Sequence, residues 1–134
     1  NWSRIVPGTI RSCLRGKRPP IRSDGSYVRD YIYVRDVASA YIHVAENIDD
    51  GRVQGEAFNV SDESPLSVLD MVHEVQRLMG AEPLEPLILD SADGEIRSQY
   101  LSAAKVRSMT GWVPRFALEE GLSETIQWYR EFLS

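Results

Sequence analysis

The sequence predicts an α/β fold of the α+β-like kind, helices joined by a few short strands, and three features predict it. Apolar residues recur at helical spacing in several segments, most clearly over residues 68–79 and 118–133. Between them lie short apolar or aromatic runs such as Tyr31-Ile32-Tyr33-Val34 and Ala57-Phe58-Asn59-Val60, too short for anything but strands. Glycine, proline and aspartate punctuate these runs, so strands alternate with helices, with no repeat and no low-complexity tract.

Taken in order, Ser3 to Gly16 reads as a helix, with Val6, Ile10, Cys13 and Leu14 on one face and Arg4, Arg11 and Arg15 on another. Pro7 fits only its first turn, and Gly16 stops it. The Lys17-Arg18-Pro19-Pro20 connector leads to a short strand at Ile21-Arg22, and Ser23-Asp24-Gly25-Ser26 is a turn. Tyr31–Val34 has strand propensity, and Asp36 is placed to cap a helix from Val37 to about Ile48. That helix is apolar around most of its circumference, its polar stripe reduced to Ser39, His43, Glu46 and Asn47. A helix of this kind wants cover on more than one side. Ala57–Val60 is expected as a buried strand. Ser67 and Asp70 form a capping-box pattern before a helix that buries Val68, Met71, Val72, Val75, Leu78 and Met79 and ends at Gly80. Residues 86–89 read as a strand, Ser102 as the cap of a short helix ending before Gly111-Trp112, and Leu118–Leu133 as the last helix.

Composition narrows the function. The 134 residues, 43% hydrophobic and 26% charged, match one domain over 1–134 and argue against disorder. No apolar run approaches the roughly 18–20 residues of a membrane span, so no membrane partner is expected. One cysteine and two histidines cannot build a structural zinc site, and an intracellular, cytoplasmic setting is expected. The first residues, Asn1-Trp2-Ser3-Arg4, carry neither an initiator Met nor a signal peptide, and the chain is expected to be part of a longer one. The net charge of −5 divides unevenly: residues 1–35 hold eight basic against two acidic residues, while the other 99 carry a net −11. A cationic third on an anionic chain points to a local anionic ligand such as a phosphate, or to a solvated basic face.

Little in the sequence is of a kind that could react. There is no Gly-x-Gly, hence no dinucleotide loop and no P-loop, and no Tyr is followed by Lys four positions on. His43 and His73 lie mid-helix without partners in spacing, and Cys13 falls on an apolar face. The sequons at Asn1 and Asn59 are too short a pattern to carry weight. What remains is a set of arginines beside strands and turns, Arg22, Arg29 and Arg97, with Arg4 at a helix start. Guanidinium groups grip phosphates at two points, so several of them converging would suit a pyrophosphate. Nucleic acid would want a broader patch and a higher isoelectric point than about 5.0, so no nucleic-acid partner is expected.

The segment Val28-Arg29-Asp30-Tyr31-Ile32-Tyr33-Val34-Arg35-Asp36 resembles the Arg-Asp-aromatic-x-aromatic-Val-x-Asp segment of extended short-chain dehydrogenase/reductases of the NAD-dependent epimerase/dehydratase family. Four further segments agree in order: Ser3–Pro7, Phe58-Asn59-Val60, Lys105 through Gly111-Trp112-Val113-Pro114, and the closing helix with Leu118–Leu122 and Trp128-Tyr129. Within that family the residues 1–7, Ile21-Arg22-Ser23 and the stretch from Glu95 to Lys105 are most similar to CDP-glucose 4,6-dehydratases, while UDP-glucose 4-epimerases stay open. Arg22 stands where relatives acting on dTDP- or UDP-sugars usually carry an aromatic, and Ser102 replaces their common Asp.

The resemblance is to the C-terminal, substrate-binding part of such an enzyme. It implies that NAD, the Gly-rich loop and the Tyr/Lys pair belong to an N-terminal Rossmann domain outside this chain, so no cofactor and no catalytic residue is expected here. It implies a nucleotide-diphosphate sugar as ligand, with Arg29 and Arg97 on the diphosphate and Arg4, Ile5, Arg22 and Asn59 bordering nucleotide and sugar. Alone, these residues are expected to be inactive in dehydration or epimerisation. A non-catalytic binding module of the same fold is the rival reading. The apolar helix beginning near Val37, parted from the Rossmann domain it would pack against, is expected to drive self-association.

Overall fold

In the computed structural model, which describes residues 1–133, ten elements follow one another: α1 (Ile5–Leu14), β1 (Pro20–Ile21), β2 (Val28–Arg29), α2 (Val34–Glu46), β3 (Leu66–Ser67), α3 (Val68–Met79), β4 (Leu87–Ile88), β5 (Ser98–Gln99), α4 (Ala104–Thr110) and α5 (Leu118–Leu133). The architecture is mixed α/β, with helices dominant. Every strand is two residues long, so the sheets serve as clasps between helices and not as a platform.

Helices α1, α3 and α5 pack on one another, burying Ile10, Met71, Val75, Leu122 and Ile126, with Ile5, Val6, Tyr31 and Tyr129 closing the edges. Each fully buried aliphatic side chain here contributes about 1.5–3 kcal/mol. Helix α3 is capped by half of the expected box: Ser67 Oγ accepts from the Asp70 amide at 3.0 Å, Asp70 Oδ2 accepts from Ser67 Oγ rather than from its amide, and Gly80 ends the helix at φ +66°. A second cluster gathers Ala40 of α2, Ala103 and Val106 around Trp112, which is fully buried, with Ile32, Val44, Phe58 and Val60 against it.

Two small sheets join these layers. In one, β1 and β4 pair in parallel, Ile21 opposite Ile88. In the other, β2 lies between β3, antiparallel with Arg29 opposite Leu66, and β5, parallel with Arg29 opposite Gln99.

The sequence expectations fail at four places. The Tyr31–Val34 strand is absent; the ladder lies before it, at Val28–Arg29 of β2, and Val34 already begins α2. Aromatic strand propensity is a preference for packed, half-buried surfaces, and Tyr31 and Tyr33 satisfy it against helices: Tyr31 joins the α1/α3/α5 core and Tyr33 packs edge-on to Phe116 at 5.1 Å. Asp36 does not cap α2. Tyr33 holds that position, and Asp36, buried in the first turn, accepts hydrogen bonds from the amides of Arg115 and Phe116 at 2.9 and 3.2 Å. Residues 57–60 form no ladder among the described residues; Phe58 and Val60 are held by packing on Trp112 instead. Ser102 gives way to Ala103 as the cap residue of α4, although its Oγ accepts from Ala104 N at 3.3 Å. Two smaller shifts occur at the first helix, which spans Ile5–Leu14, and at β1, which is Pro20–Ile21. Strand β5 has no apolar run to announce it.

Candidate functional site

The β2–β5 clasp and the end of β1 set the arginines. Arg29 is the last residue of β2, its guanidinium partly sheltered and 5.9 Å from the centre of the Tyr27 ring. Arg22 follows β1 and reaches outward, its side chain 66% exposed against 26% for Arg29. Both meet one carboxylate: Glu95 Oε1 lies 3.0 Å from Arg22 Nη2, and Glu95 Oε2 lies 3.8 Å from Arg29 Nη2. Arg97 stands just before β5, where its carbonyl accepts from the Val28 amide at 2.8 Å. It is two residues ahead of Gln99, the partner of Arg29, so strand alternation puts it on the face of Arg29. The Asp24 carboxyl, held below the ordinary aspartate value mainly by hydrogen bonds from Ser26, also feels the Arg97 charge.

Of the residues singled out in the sequence, Arg22, Arg29 and Arg97 are thus brought to one edge of the molecule. Arg4, Ile5 and Asn59 are not tied to them by any hydrogen bond or ion pair among the described residues. Arg4 is exposed at the N-cap of α1, Ile5 packs on the α1/α3/α5 core, and Asn59 is exposed in the 57–60 segment. Glu95 was not singled out, and only its position two residues before Arg97, in a Gly-Glu-Ile-Arg run, could have drawn attention to it.

A cavity lies elsewhere. About 470 Å³ in volume, it opens between the 30–34 segment, α1 and α5, with Val6, Tyr31, Val34, Phe116 and Leu122 among its walls and Asp30 and Asp62 at its polar end. Asp30 Oδ2 accepts from Ser61 Oγ and Leu101 N, while Oδ1 is buried without a partner, as is the Tyr31 hydroxyl. Burial first, and the neighbouring Asp30 carboxyl second, push Asp62 above the ordinary aspartate value. Two facing carboxyls in a largely apolar hollow disfavour an anionic ligand.

Glu95 and Asp24, the carboxylates at the arginine edge, are taken up by Arg22 and by Ser26. His43 is committed to the Ser39 carbonyl at 2.9 Å, and burial raises the Cys13 thiol away from its reactive form. The helix N-termini do not fit a dinucleotide either: α1 starts Arg4-Ile5-Val6-Pro7, without a Gly-rich turn, and that of α2 is blocked by Asp36 and the 115–116 backbone. Among the described residues no three His, Cys, Asp or Glu side chains could hold a metal ion, and no helix is long and apolar enough to cross a membrane.

Comparison with known proteins agrees in sequence and in fold. Residues 2–61 match the NAD dependent epimerase/dehydratase family. The chain is 29% identical to the dTDP-glucose 4,6-dehydratase of Escherichia coli, an alignment covering 94% of this chain and 37% of that protein. The structure of a UDP-glucose 4-epimerase from Thermotoga maritima with UDP-glucose superposes at a TM-score of 0.87, with 31% identity over 98% of this chain and 40% of that one. A dTDP-glucose 4,6-dehydratase from Bacillus anthracis in complex with NAD gives a TM-score of 0.79 and 30% identity, covering 96% of this chain and 39% of the other. The chain therefore spans about two fifths of the length of these relatives. The resemblance read from the sequence, to the C-terminal part of an extended short-chain dehydrogenase/reductase, holds along nearly all of it.

Proposed function

We propose that this chain, alike in sequence and fold to a C-terminal part of the NAD dependent epimerase/dehydratase family, is the nucleotide-sugar-binding domain of such an enzyme, residues 1–134 acting as one unit. The observation that carries the reading is the meeting of Arg22 and Arg29 on one carboxylate, with Arg97 on the same face of the adjoining strand. Two or three guanidinium groups at one edge match the charge of a diphosphate and give two-point contacts that a lysine cluster would not. The role is positional: the sugar is held while hydride and proton transfer are carried out by residues outside this chain.

NAD belongs to the longer enzyme in this reading, because α1 does not start on the Gly-rich turn that holds a dinucleotide. The open side of α2, with Tyr41 and Ile42, faces the remainder of that enzyme. Among sugars, Arg22 and Ser102 make a CDP-hexose the first ligand to test, ahead of the UDP- and dTDP-sugars handled by the relatives.

Calorimetric titration with CDP-glucose, UDP-glucose, dTDP-glucose and NAD tests the reading. Saturable binding of at least one nucleotide sugar, strongest for CDP-glucose, with no heat from NAD, is the expected result. NAD binding at micromolar affinity, or indifference to all three sugars, contradicts it. The rival reading, a non-catalytic module of the same fold, predicts the same binding but no Tyr-x-x-x-Lys and no Gly-rich loop in the longer protein.

A further inference from the structure

We propose that Glu95 is the built-in counter-ion of the arginine clamp, a carboxylate that an incoming diphosphate displaces and against which weaker anions fail. The inference rests on the reading of Arg22 and Arg29 as the diphosphate-binding pair.

Without ligand, Glu95 spends one oxygen on each arginine, at 3.0 Å on Arg22 and 3.8 Å on Arg29. It thus bridges the two cations in the manner expected of a diphosphate. Its side chain is 37% exposed, so the bridge is open to water and to exchange. An exposed pair of this kind contributes little to stability, which makes the bridge easy to break. A diphosphate brings more charge than a carboxylate and spans both guanidinium groups at once. A sulfate reaches a geometry no better than that of Glu95 and must also sit beside the carboxylate it has expelled.

Two consequences follow from this competition. Glu95 costs affinity for every anion, because its bonds to Arg22 and Arg29 must be broken first and its charge then repels the ligand. It also sharpens selection, because the cost is met by a two-point ligand and not by a one-point ligand. Arg97, on the same face, has no acidic side chain hydrogen-bonded to it among the described residues, only the more distant Asp24 charge, and stays available to the ligand.

The test uses the 134-residue chain with inorganic pyrophosphate and sulfate as probes, titrated calorimetrically against wild type, Glu95→Gln and Glu95→Ala, with circular dichroism to show that both variants fold. Both variants are expected to bind pyrophosphate roughly three- to tenfold more tightly, the factor that two partly exposed ion pairs supply. The preference for pyrophosphate over sulfate should shrink in both. Unchanged or weaker pyrophosphate binding in the variants, with wild-type binding intact, overturns the counter-ion role and leaves the clamp standing. Absence of pyrophosphate binding in all three proteins overturns the clamp and this inference together.

Discussion

Arg29 carries the largest share of the proposed binding, because it is the more sheltered of the two arginines on Glu95 and its charge is the less screened by water. Arg29→Ala should weaken nucleotide-sugar binding by about 2–5 kcal/mol, the range for loss of one partner in a hydrogen-bonded charge pair, and a calorimetric titration reads it directly. A loss below about tenfold would place the diphosphate elsewhere. Asp62 offers a pH test. Its folded-state pKa is raised above the ordinary aspartate value of 3.8, so the native state holds the proton more tightly than the unfolded chain. Ionisation then works against folding: the penalty is absent below about pH 3.8, grows as pH rises toward the raised value and persists at neutrality. Asp62→Asn should therefore raise stability at pH 7, with the gain fading in acid, as urea melts at pH 7 and pH 3.5 would reveal. An equal effect at both pH values would mean that the carboxyl charge is not the cause. Arg22, Arg29 and Arg97 were legible in the sequence because arginine beside a strand or turn is a recognisable phosphate signal. Glu95 and Asp62 were not, since a lone carboxylate reads as a solvated surface group until its neighbours are known.

At the scale of elements, the start of α2 packs closely on α5. A Cβ at Gly121 would stand 2.9 Å from Cγ of Tyr33, whose hydroxyl donates to Glu124 at 2.6 Å. Gly121→Ala should cost about 1–3 kcal/mol in overpacking, against a helix-propensity gain of about 1 kcal/mol, so the net effect in denaturant melts is a loss of stability. Glu63 works in a similar way on α4. It accepts from Ala103 N and Ser102 Oγ at 3.0 Å and pairs with Arg107 at 2.8 Å, which holds its carboxyl below the usual glutamate value. It does what Ser102 was expected to do, from 39 residues away. Helices with internal signals, such as α3 with its Ser67/Asp70 box and α5 with its apolar register, were read from the sequence nearly to the residue. Starts set by distant partners were not. Asp36 looks like a cap in sequence, and only the fold turns it inward to the 115–116 amides. Two-residue strands such as β5 carry too little pattern to be seen at all.

For the molecule as a whole, the apolar girdle of α2 is the feature the sequence announced most clearly. Tyr41, Ile42 and Ile48 are 73%, 57% and 47% exposed, whereas Val44 is partly covered by the Trp112 cluster. An open row of large apolar side chains favours association. Light scattering should therefore show species larger than a monomer as concentration rises, and Ile42→Glu should shift them back. A strict monomer at high concentration would mean that water tolerates this face. The arginine edge is the central claim, and it can be observed atom by atom. Arginine Nε–Hε resonances of the isotope-labelled chain, followed by NMR during titration with CDP-glucose, report each guanidinium separately. The signals of Arg22, Arg29 and Arg97 should move together and saturate with one affinity, while those of Arg52 and Arg77, paired with Asp50 and Glu74, stay in place. Saturating shifts that bypass Arg22 and Arg29 and fall on residues lining the Asp30/Asp62 cavity would contradict the account.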